Sequence, residues 1–486
     1  MKAVTALTVL VTCLATTKGQ TVPAPNTTAP APPAYTPVRW NENYSYLKDS
    51  ANRSDPFDAL KYISLGPDDW YLSLGGQVRY RYEYFSNENF GAVENDWGYA
   101  LQRYLLHLDA HFGPNIRVFV QGKSSLVDDG REPTPSATSI EPRPTDADEA
   151  DLQQLFIDVK LPSGEDAATI RVGRQDLIYG AQRLIGPLDW TNVRRTFEGG
   201  KVSYQVGKKH TIDAFLVRPV IVEKEECNSG DGDTTFGGIY ATFGVPERCL
   251  PGSARFEAFA LGLWKQAQVD DGADLDTDTY TIGGRLSAAP KPFDYDIELA
   301  YQFGNSGSGD ISAYSIATEA GYTFADVACT PRPFIGFDYA SGDDDPNDSD
   351  TETFNQLFPT GHLFFGYIDV VGRQNIVDLH LGIELTLLQN HAYAKKLTLR
   401  SDYHYFCRAS DDDALYAASG SVLRADTGTD AKFIGSEIDL LLTWQIDRHT
   451  QVYVGYSHFF VGDFINETNG PDDDIDYAYA AVTFTF

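Results

Sequence analysis

The sequence predicts an all-β protein: a transmembrane antiparallel β-barrel of about eighteen strands, with short turns at one end and long loops at the other. Three observations lead to this prediction. They are segments of strictly alternating polarity, connections that alternate between short and long, and a last strand that runs to the final residue, Phe486. Among the 486 residues, Gly, Tyr and Phe are abundant, as expected for strands and tight turns.

The amino-terminal residues predict export from the cytoplasm. Lys2 precedes an uncharged run over residues 3–17, and small residues follow it. A positive start, a short apolar core and small residues are typical of a secretory signal peptide, which we assign to residues 1–19. The Pro-rich residues 20–45 are predicted to form an extended linker. Residues 46–69 then form a segment that precedes the barrel.

Period-two alternation begins near residue 70 and recurs to the end of the chain. In residues 72–84, apolar or aromatic side chains alternate with polar or charged ones, so one strand face is apolar. A soluble sandwich would show the same pattern. Many of these segments, however, exceed the length of about ten residues that sandwich strands reach. The alternation recurs at residues 295–303, 377–385, 397–405 and 438–444.

The connections between these segments indicate a barrel that spans an outer membrane. Tight turns, such as Gly113-Pro114-Asn115, alternate with long polar loops. Short turns on one side and long loops on the other are typical of outer-membrane barrels, and an even strand number returns both ends to the periplasmic side. Loop 341–375, which contains four Phe residues, is our candidate for a loop that folds into the pore. The long loops are predicted at residues 126–151, 223–235, 341–375, 408–434 and 462–474.

The last strand supports closure of the sheet. Apolar residues alternate up to Phe486, which resembles the assembly signal of bacterial outer-membrane barrels. In an open sheet this strand would be an exposed edge, whereas a closed barrel pairs it with the first strand. We therefore predict that the barrel covers residues 70–486. In its register the lipid-facing residues include Tyr80, Tyr82, Leu299, Leu381 and Leu399.

If the apolar faces contact lipid, the alternating polar residues line the lumen. Early strands contribute mainly basic side chains and later strands acidic ones, and strands about nine apart face each other. The sequence therefore predicts a basic wall opposite an acidic wall, an arrangement that selects ions and binds carboxylates. The alternative is that these charges pair with one another and brace the wall. The predicted selectivity residues are Arg79, Arg81, Arg103, Arg117, Arg171, Asp294, Asp296, Glu298, Asp378 and Glu384.

A further group of arginines follows the strand that contains Arg171. Arg174 breaks the inward parity of its neighbours, so either a bulge turns it inward or it lies at the rim of the barrel. Arg194 and Arg195 lie just beyond, together with Arg183. We include Arg174, Arg194 and Arg195 among the predicted selectivity residues, as a cationic mouth. A solvated loop is the alternative.

Composition and motifs disfavour other functions. The net charge of −31 opposes binding to a nucleic-acid backbone. The motifs GxSxG, HExxH and GxGxxG are absent from the sequence, so we predict no enzyme, no catalytic residue and no cofactor. The cysteines lack a CxxC spacing, and no metal site is predicted. Acidic runs in the predicted external loops are either solvated or bind calcium.

Several segments resemble the alginate-export family of outer-membrane proteins. The strongest match, RVGRQDL, covers residues 171–177 and continues through residues 179–184 and 190–199. The resemblance extends over residues 45–486 in layout. It implies an eighteen-stranded porin whose Arg-lined lumen passes an anionic polysaccharide such as alginate. Shorter matching segments are residues 46–49, 58–63, 72–79, 338–343 and 354–359.

We therefore expect a passive channel in the bacterial outer membrane for anionic solutes, with export of an anionic polysaccharide as the leading hypothesis. The expected partners are that polysaccharide or small anions, outer-membrane lipid and a periplasmic export complex. The alternative is a general or organic-solute porin for uptake, which the mixed charge of the lumen favours. A barrel-embedded hydrolase or an adhesin is a third class.

Overall fold

A computed structural model describes residues 32–67, 69–93, 96–129, 143–223, 226–266, 276–289 and 292–486. The predicted signal peptide, the start of the predicted linker and part of the predicted loop 126–151 lie outside the described residues. No helix in these ranges is long and apolar enough to cross a membrane.

The described residues form a closed antiparallel barrel of eighteen strands, as predicted. Each strand pairs with its sequence neighbours, and the last strand, β18, pairs with β1. In chain order the strands are β1 (Trp70–Ser86), β2 (Trp97–Phe112), β3 (Ile116–Asp129), β4 (Asp148–Ser163), β5 (Asp166–Gln175), β6 (Phe197–Val206), β7 (His210–Ile221), β8 (Thr234–Gly244), β9 (Arg255–Lys265), β10 (Thr277–Ala288), β11 (Phe293–Ser306), β12 (Gly309–Tyr322), β13 (Arg332–Ala340), β14 (Ile376–His391), β15 (Ala394–Cys407), β16 (Phe433–Gln445), β17 (Thr450–Val461) and β18 (Ile475–Thr485).

Short turns and long loops lie at opposite ends of the barrel. Residues 113–115 join β2 to β3, whereas residues 341–375 separate β13 from β14. Helical structure in the described residues is limited to single turns. These are Arg39–Asn41, Ser45–Lys48, Ser50–Asn52, Asp58–Lys61, Glu88–Gly91, Gly361–Leu363 and Asp463–Glu467. Short strands outside the barrel wall are Ile63–Ser64, Ser229–Gly230, Leu415–Tyr416 and Val422–Arg424.

The inward and outward faces follow the predicted register. Tyr82, Leu299 and Leu381 on the outer surface are 53%, 51% and 51% exposed, whereas the intervening Arg79 is 4% exposed. Leu399 also lies on the outer face, where it is half-buried. Apolar side chains thus face outward and charged side chains face the lumen, the reverse of a soluble barrel and the arrangement expected in lipid.

The chain before β1 packs into the short-turn end of the barrel. The described residues 32–45 therefore differ from the extended linker that the sequence predicts. Val38 and Arg39 are buried. Arg39 donates hydrogen bonds to the carbonyl oxygens of Gly76 (3.1 Å) and Phe486 (2.9 Å) and binds Glu42 at 2.6 Å. Burial of this charge is tolerated because it is paired and hydrogen-bonded. We call residues 32–64 the amino-terminal plug.

The main chain of Phe486 extends the hydrogen-bond ladder between β18 and β1. Its main-chain N–H donates to the Gly76 carbonyl at 3.0 Å, and the Gly76 N–H donates to the Phe486 carbonyl at 2.9 Å. Deletion of Phe486 removes both bonds, so we expect slower assembly of the barrel in the outer membrane with unchanged secretion. The measurement is the rate at which the heat-modifiable form appears on gels. A matched control is Phe460→Ala, since Phe460 is an exposed aromatic residue away from the chain end. Equal rates for the deletion and the parent would contradict the prediction.

Candidate functional site

Among the described residues, segments from both ends of the barrel fold into its lumen. The amino-terminal plug enters from the short-turn end, and two loops fold inward from the other end. We call residues 176–196 the first inserted loop and residues 341–375 the second inserted loop. The second inserted loop is the candidate named from the sequence, and its Phe354 and Phe365 are buried in the core. The first inserted loop is an additional finding, and an isolated bridge between Ile185 and Phe358 joins the two loops.

Glycines flank the first inserted loop where it leaves and rejoins the wall. Gly173 in β5 and Gly199 in β6 pair across the ladder, with φ of +132° and +150°. A Cβ atom on Gly173 would lie 2.1 Å from the carbonyl oxygen of Leu155. Only glycine therefore fits this close approach and this backbone conformation.

Arg79 and Arg103 hold the tip of the first inserted loop through its main chain. Arg79 donates to the carbonyl oxygens of Asp189 (3.1 Å) and Thr191 (2.8 Å). Arg103 donates to the same two oxygens at 2.8 Å and 3.1 Å and also binds the Asp189 carboxylate at 3.1 Å. The Nε atoms of both arginines are buried and have no hydrogen-bond partner. The N–H groups of the two guanidinium groups are therefore only partly hydrogen-bonded, and most of their acceptors are neutral carbonyl oxygens.

Arg81 contacts the same loop in a different way. Its Nη1 donates to the Trp190 carbonyl at 2.5 Å, and its guanidinium lies 4.1 Å from the centre of the Trp190 ring. Glu83 binds its Nε at 2.5 Å. Arg79, Arg81 and Arg103 are thus brought together around residues 189–191. We call these three residues the arginine cluster.

Asp189 lies among these cations. Burial acts to raise the pKa of its carboxyl, but the nearby Arg103, Arg194 and Arg79 outweigh burial and lower the pKa below its usual range. The loop therefore presents a carboxylate to the arginine cluster as well as its carbonyl groups. The surrounding cationic side chains thus stabilise a negative charge at the position of this carboxylate.

Arg117 and Arg171 lie nearer the short-turn end and contact the amino-terminal plug. Arg171 forms two hydrogen bonds of 2.7 Å to Asp158, and its guanidinium lies 3.8 Å from the Trp40 ring centre. Arg117 binds Asp109 at 2.5 Å and donates to the Trp40 carbonyl at 2.6 Å. Both arginines thus anchor Trp40 of the plug, and both have a carboxylate partner.

Arg174 lies at the end of β5, where the chain leaves the wall. Its guanidinium binds Asp151 at 3.0 Å, Glu198 at 2.7 Å and the Asn228 carbonyl at 2.6 Å. The residues paired with it on the two neighbouring strands are Leu155 and Glu198. The ladder has no register shift at Arg174, and its side chain is buried among these partners at the end of β5.

The remaining loop arginines bind structural partners. Arg194 binds Asp176 at 2.7 Å and the Pro37 carbonyl at 2.9 Å, and so connects the first inserted loop to the plug. Arg195 donates to carbonyl oxygens of the two inserted loops, at Gly186 (3.3 Å) and Pro359 (3.0 Å). Arg194 is buried and Arg195 half-buried, so neither lies at an open rim.

The predicted acidic wall carries arginines as well. Asp294 forms an ion pair with Arg332, and Asp296 forms ion pairs with Arg285 and, at 2.7 Å, with Arg183 of the first inserted loop. Glu298 lies 3.6 Å from Arg183. Arg285 and Arg332 occupy alternating inward positions of their strands, a pattern in the sequence that did not enter the predicted set. Both walls of the lumen therefore carry basic and acidic side chains. A net basic wall opposite a net acidic wall stays a prediction.

The last two predicted residues lie apart from each other. Asp378 is fully buried beside His380 and His404. Glu384 lies near the short-turn end, where it is half-buried, 3.7 Å from Lys396.

Cavities lie along the inner face of the wall from β10 to β16. A cavity of about 840 Å³ at the short-turn end is lined by Arg285, Asp296 and Arg332. A second cavity, of about 430 Å³, lies toward the long-loop end and is lined by residues such as Gln302 and Asp343. Between these levels a third cavity, lined by Arg183, Asp338 and Arg400 among others, has only about 10 Å³. Residues of both inserted loops, Arg183 and Phe364 among them, line this small cavity.

Lys61 is expected to make docking of the amino-terminal plug depend on pH. The side chain is 1% exposed and donates to the Leu74 carbonyl at 2.8 Å. Burial, together with the charge of Arg39, lowers the pKa of Lys61 to about 7 although Glu42 opposes this shift. Between about pH 7 and 10 the docked state therefore binds fewer protons than the undocked state, and its stability rises with pH.

The variant Lys61→Met keeps the buried volume and removes the titrating group, so we expect it to lose this pH dependence. The measurement is the rate of limited proteolysis within the plug from about pH 6.5 to 9, normalised to an unfolded peptide substrate. Lys48→Met serves as control, because Lys48 is an exposed lysine of the same plug. The prediction fails if Lys61→Met retains the pH profile of the parent.

The chain matches the sequence model of the family described as "Alginate export" over residues 70–478. No curated protein sequence is significantly similar to it. Solved structures with a similar fold include OpdO from Pseudomonas aeruginosa, with a TM-score of 0.57 and 11% identity over 85% of this chain and 97% of that one. A BenF-like porin from Pseudomonas fluorescens Pf-5 gives 0.55 and 11%, over 85% and 98%. OccK2 (OpdF) of Pseudomonas aeruginosa in complex with glucuronate gives 0.53 and 11%, over 85% and 98%. At these identities the likeness shows the fold.

Proposed function

The chain belongs to the alginate export family, and from this premise we propose that it is a passive channel of the bacterial outer membrane that exports an anionic polysaccharide with carboxylate groups. The family and the porin-type barrel are those of a channel rather than an enzyme. A protein with an outward apolar face and no polar edge is suited to lipid. Its route to the membrane would use the signal peptide predicted from residues 1–19.

The observation that carries the proposal is the arginine cluster. Arg79 and Arg103 are held mainly by main-chain carbonyl oxygens, and each keeps a buried Nε atom without a partner. A carboxylate accepts two hydrogen bonds from one guanidinium and is a stronger acceptor than a neutral carbonyl. A uronate residue of a polysaccharide is therefore able to replace the loop as the partner of these arginines.

Replacement of the first inserted loop by the polymer at the arginine cluster provides a mechanism by which the channel opens. In the closed state the arginine cluster binds residues 189–191 of the first inserted loop. When the loop leaves, the cluster faces the lumen and offers successive carboxylates a set of fixed cationic partners. Because each contact to the polymer replaces a contact to the loop, the polymer is held weakly enough to move on. The amino-terminal plug occupies the periplasmic end, where a periplasmic export complex would contact the channel.

Two further observations bear on the substrate. OccK2, a protein of similar fold, was solved in complex with glucuronate, which carries the carboxylate found in uronate polymers. The fold of the Occ and BenF-like porins also favours a second candidate function, uptake of small organic anions through the same barrel. Ion pairs on both walls, such as Arg285 with Asp296, agree with a lumen that accepts small polar solutes.

Conductance in planar bilayers tests the proposal. We expect the open channel to prefer anions and to be blocked by uronate oligomers at concentrations at least about tenfold below those of neutral oligomers of equal length. Equal block by both oligomers would support the uptake porin instead. Absence of any conductance, both in the folded parent and in a folded variant with Arg79, Arg81 and Arg103 replaced by alanine, would contradict both functions.

A further inference from the structure

Two histidines and an aspartate form a buried cluster in the lumen. Asp378 and His380 lie two residues apart on β14, and His404 lies opposite His380 on β15, so all three side chains point inward. They are 0%, 6% and 5% exposed, respectively. The cluster lies outside the arginine cluster, and the proposed transport function does not use it.

The two imidazoles converge on a single carboxylate oxygen. His380 Nδ1 lies 3.1 Å and His404 Nδ1 lies 2.9 Å from Asp378 Oδ2. The other oxygen, Oδ1, is buried without a hydrogen-bond partner. A buried carboxylate that served only as an acceptor would use both oxygens, because an unpaired buried oxygen is costly. One ligand atom from each of the three residues lies within 4.8 Å of the other two, a spacing that is compatible with a metal site.

We propose that Asp378, His380 and His404 bind a divalent transition-metal ion of the Zn²⁺ type. Two imidazole nitrogens and one carboxylate oxygen are donors that suit Zn²⁺ and its neighbours in the first transition row. Calcium and magnesium prefer shells made only of oxygen, so the histidines disfavour them.

The surroundings supply space and further donors. A cavity of about 10 Å³, enough for about one water or ion, adjoins the cluster; His380, His404, Asp338 and Asp439 line it, whereas Asp378 lies behind the two histidines. Asp338 Oδ2 lies 3.9 Å from His380 Nδ1, and Asp439 Oδ2, which is buried without a partner, lies 4.0 Å from His404 Nε2. Arg400 also lines the cavity, but it is bonded to Asp402 at 2.7 Å.

An ion at this site would stabilise the part of the wall that binds the second inserted loop. The strand next to the site, β16, contacts that loop directly. Glu437 and Asp439 on β16 accept hydrogen bonds from the main-chain N–H groups of Ile368 (3.0 Å) and Tyr367 (3.3 Å). Asp439 also lies beside His404. A metal ion that links β14 to β15 would therefore fix the wall on which this loop is held, and its removal should loosen the loop.

The experiment uses the full-length mature barrel in detergent, stripped with chelator and titrated with Zn²⁺ by calorimetry. We expect about one high-affinity equivalent and a higher unfolding temperature in its presence. Substitution of Co²⁺ should give the visible absorption of a site with nitrogen ligands. A parent barrel that is folded and heat-modifiable but binds no Zn²⁺ overturns the proposal.

Variants locate the site. His404→Gln and Asp378→Asn should each weaken Zn²⁺ binding by more than about tenfold, whereas His458→Gln should not, since His458 pairs with Asp476 elsewhere in the barrel. Circular dichroism and heat-modifiability establish that each variant is folded. Unchanged binding in both folded variants, with loss in His458→Gln, would place the ion elsewhere and overturn the assignment. The transport proposal is tested separately, since block by uronate oligomers is measured on the chelator-stripped channel.

Discussion

Replacement of Arg79, Arg81 and Arg103 by alanine is expected to raise the single-channel conductance several-fold and to shift the reversal potential toward cation selectivity. The three arginines donate hydrogen bonds to the carbonyl oxygens of residues 189–191. Hydrogen bonds from charged groups each contribute about 1.5–3 kcal/mol, so their combined loss should release the first inserted loop. The lumen also loses three positive charges that salt screens poorly.

The measurement is current through single channels in planar bilayers under a salt gradient. Arg248→Ala is the control, because Arg248 is exposed in the connection between β8 and β9. Two outcomes are distinguishable for the triple variant. Greater conductance with weaker block by uronate oligomers supports both the loop contact and the proposed substrate site. Conductance and selectivity equal to those of the parent would show that these arginines only brace the wall.

Neutralisation of the opposite wall should act in the other direction. Asp294→Asn, Asp296→Asn and Glu298→Gln together remove both carboxylate partners of Arg183. Arg285 and Arg332 each lose one partner and keep a second, Glu257 and Glu319. We expect a large shift toward anion selectivity, because guanidinium groups then outnumber carboxylates around the cavity at the short-turn end. Loss of one partner of a buried ion pair costs about 3–5 kcal/mol, so the barrel should also unfold at lower temperature.

A control with the same change in charge isolates the effect of position. Asp344→Asn, Asp345→Asn and Asp348→Asn remove three exposed charges from the second inserted loop, outside the lumen. Reversal potentials measured in the same salt gradient compare the two triple variants. A shift of equal size in the control would contradict a role for the wall, since the overall charge of the protein would then explain the selectivity.

The position of the first inserted loop inside the barrel was harder to predict than the strands of the wall. Residues 190–196 of this loop belong to the strongest family resemblance, and the sequence indicated a loop or strand end there. The sequence gives no sign that Trp190 enters the barrel and lies 4.1 Å from the Arg81 guanidinium. That contact joins residues more than one hundred positions apart, and no local pattern encodes it.

The sequence by itself determined the barrel: its closure, its strand number, its register and the set of side chains that face the lumen. These follow from alternation with a period of two, because a side chain two positions along a strand must return to the same face. The Asp378 and His380 positions on the inner face follow from the same rule. What only the tertiary structure decided is the partner of each inward charge. Arg79 binds loop carbonyls, Arg171 binds Asp158, and Arg285 binds Asp296. Such partners depend on strand pairing and on loops that return through the lumen, so they are fixed by three-dimensional packing and not by the spacing of residues along the chain.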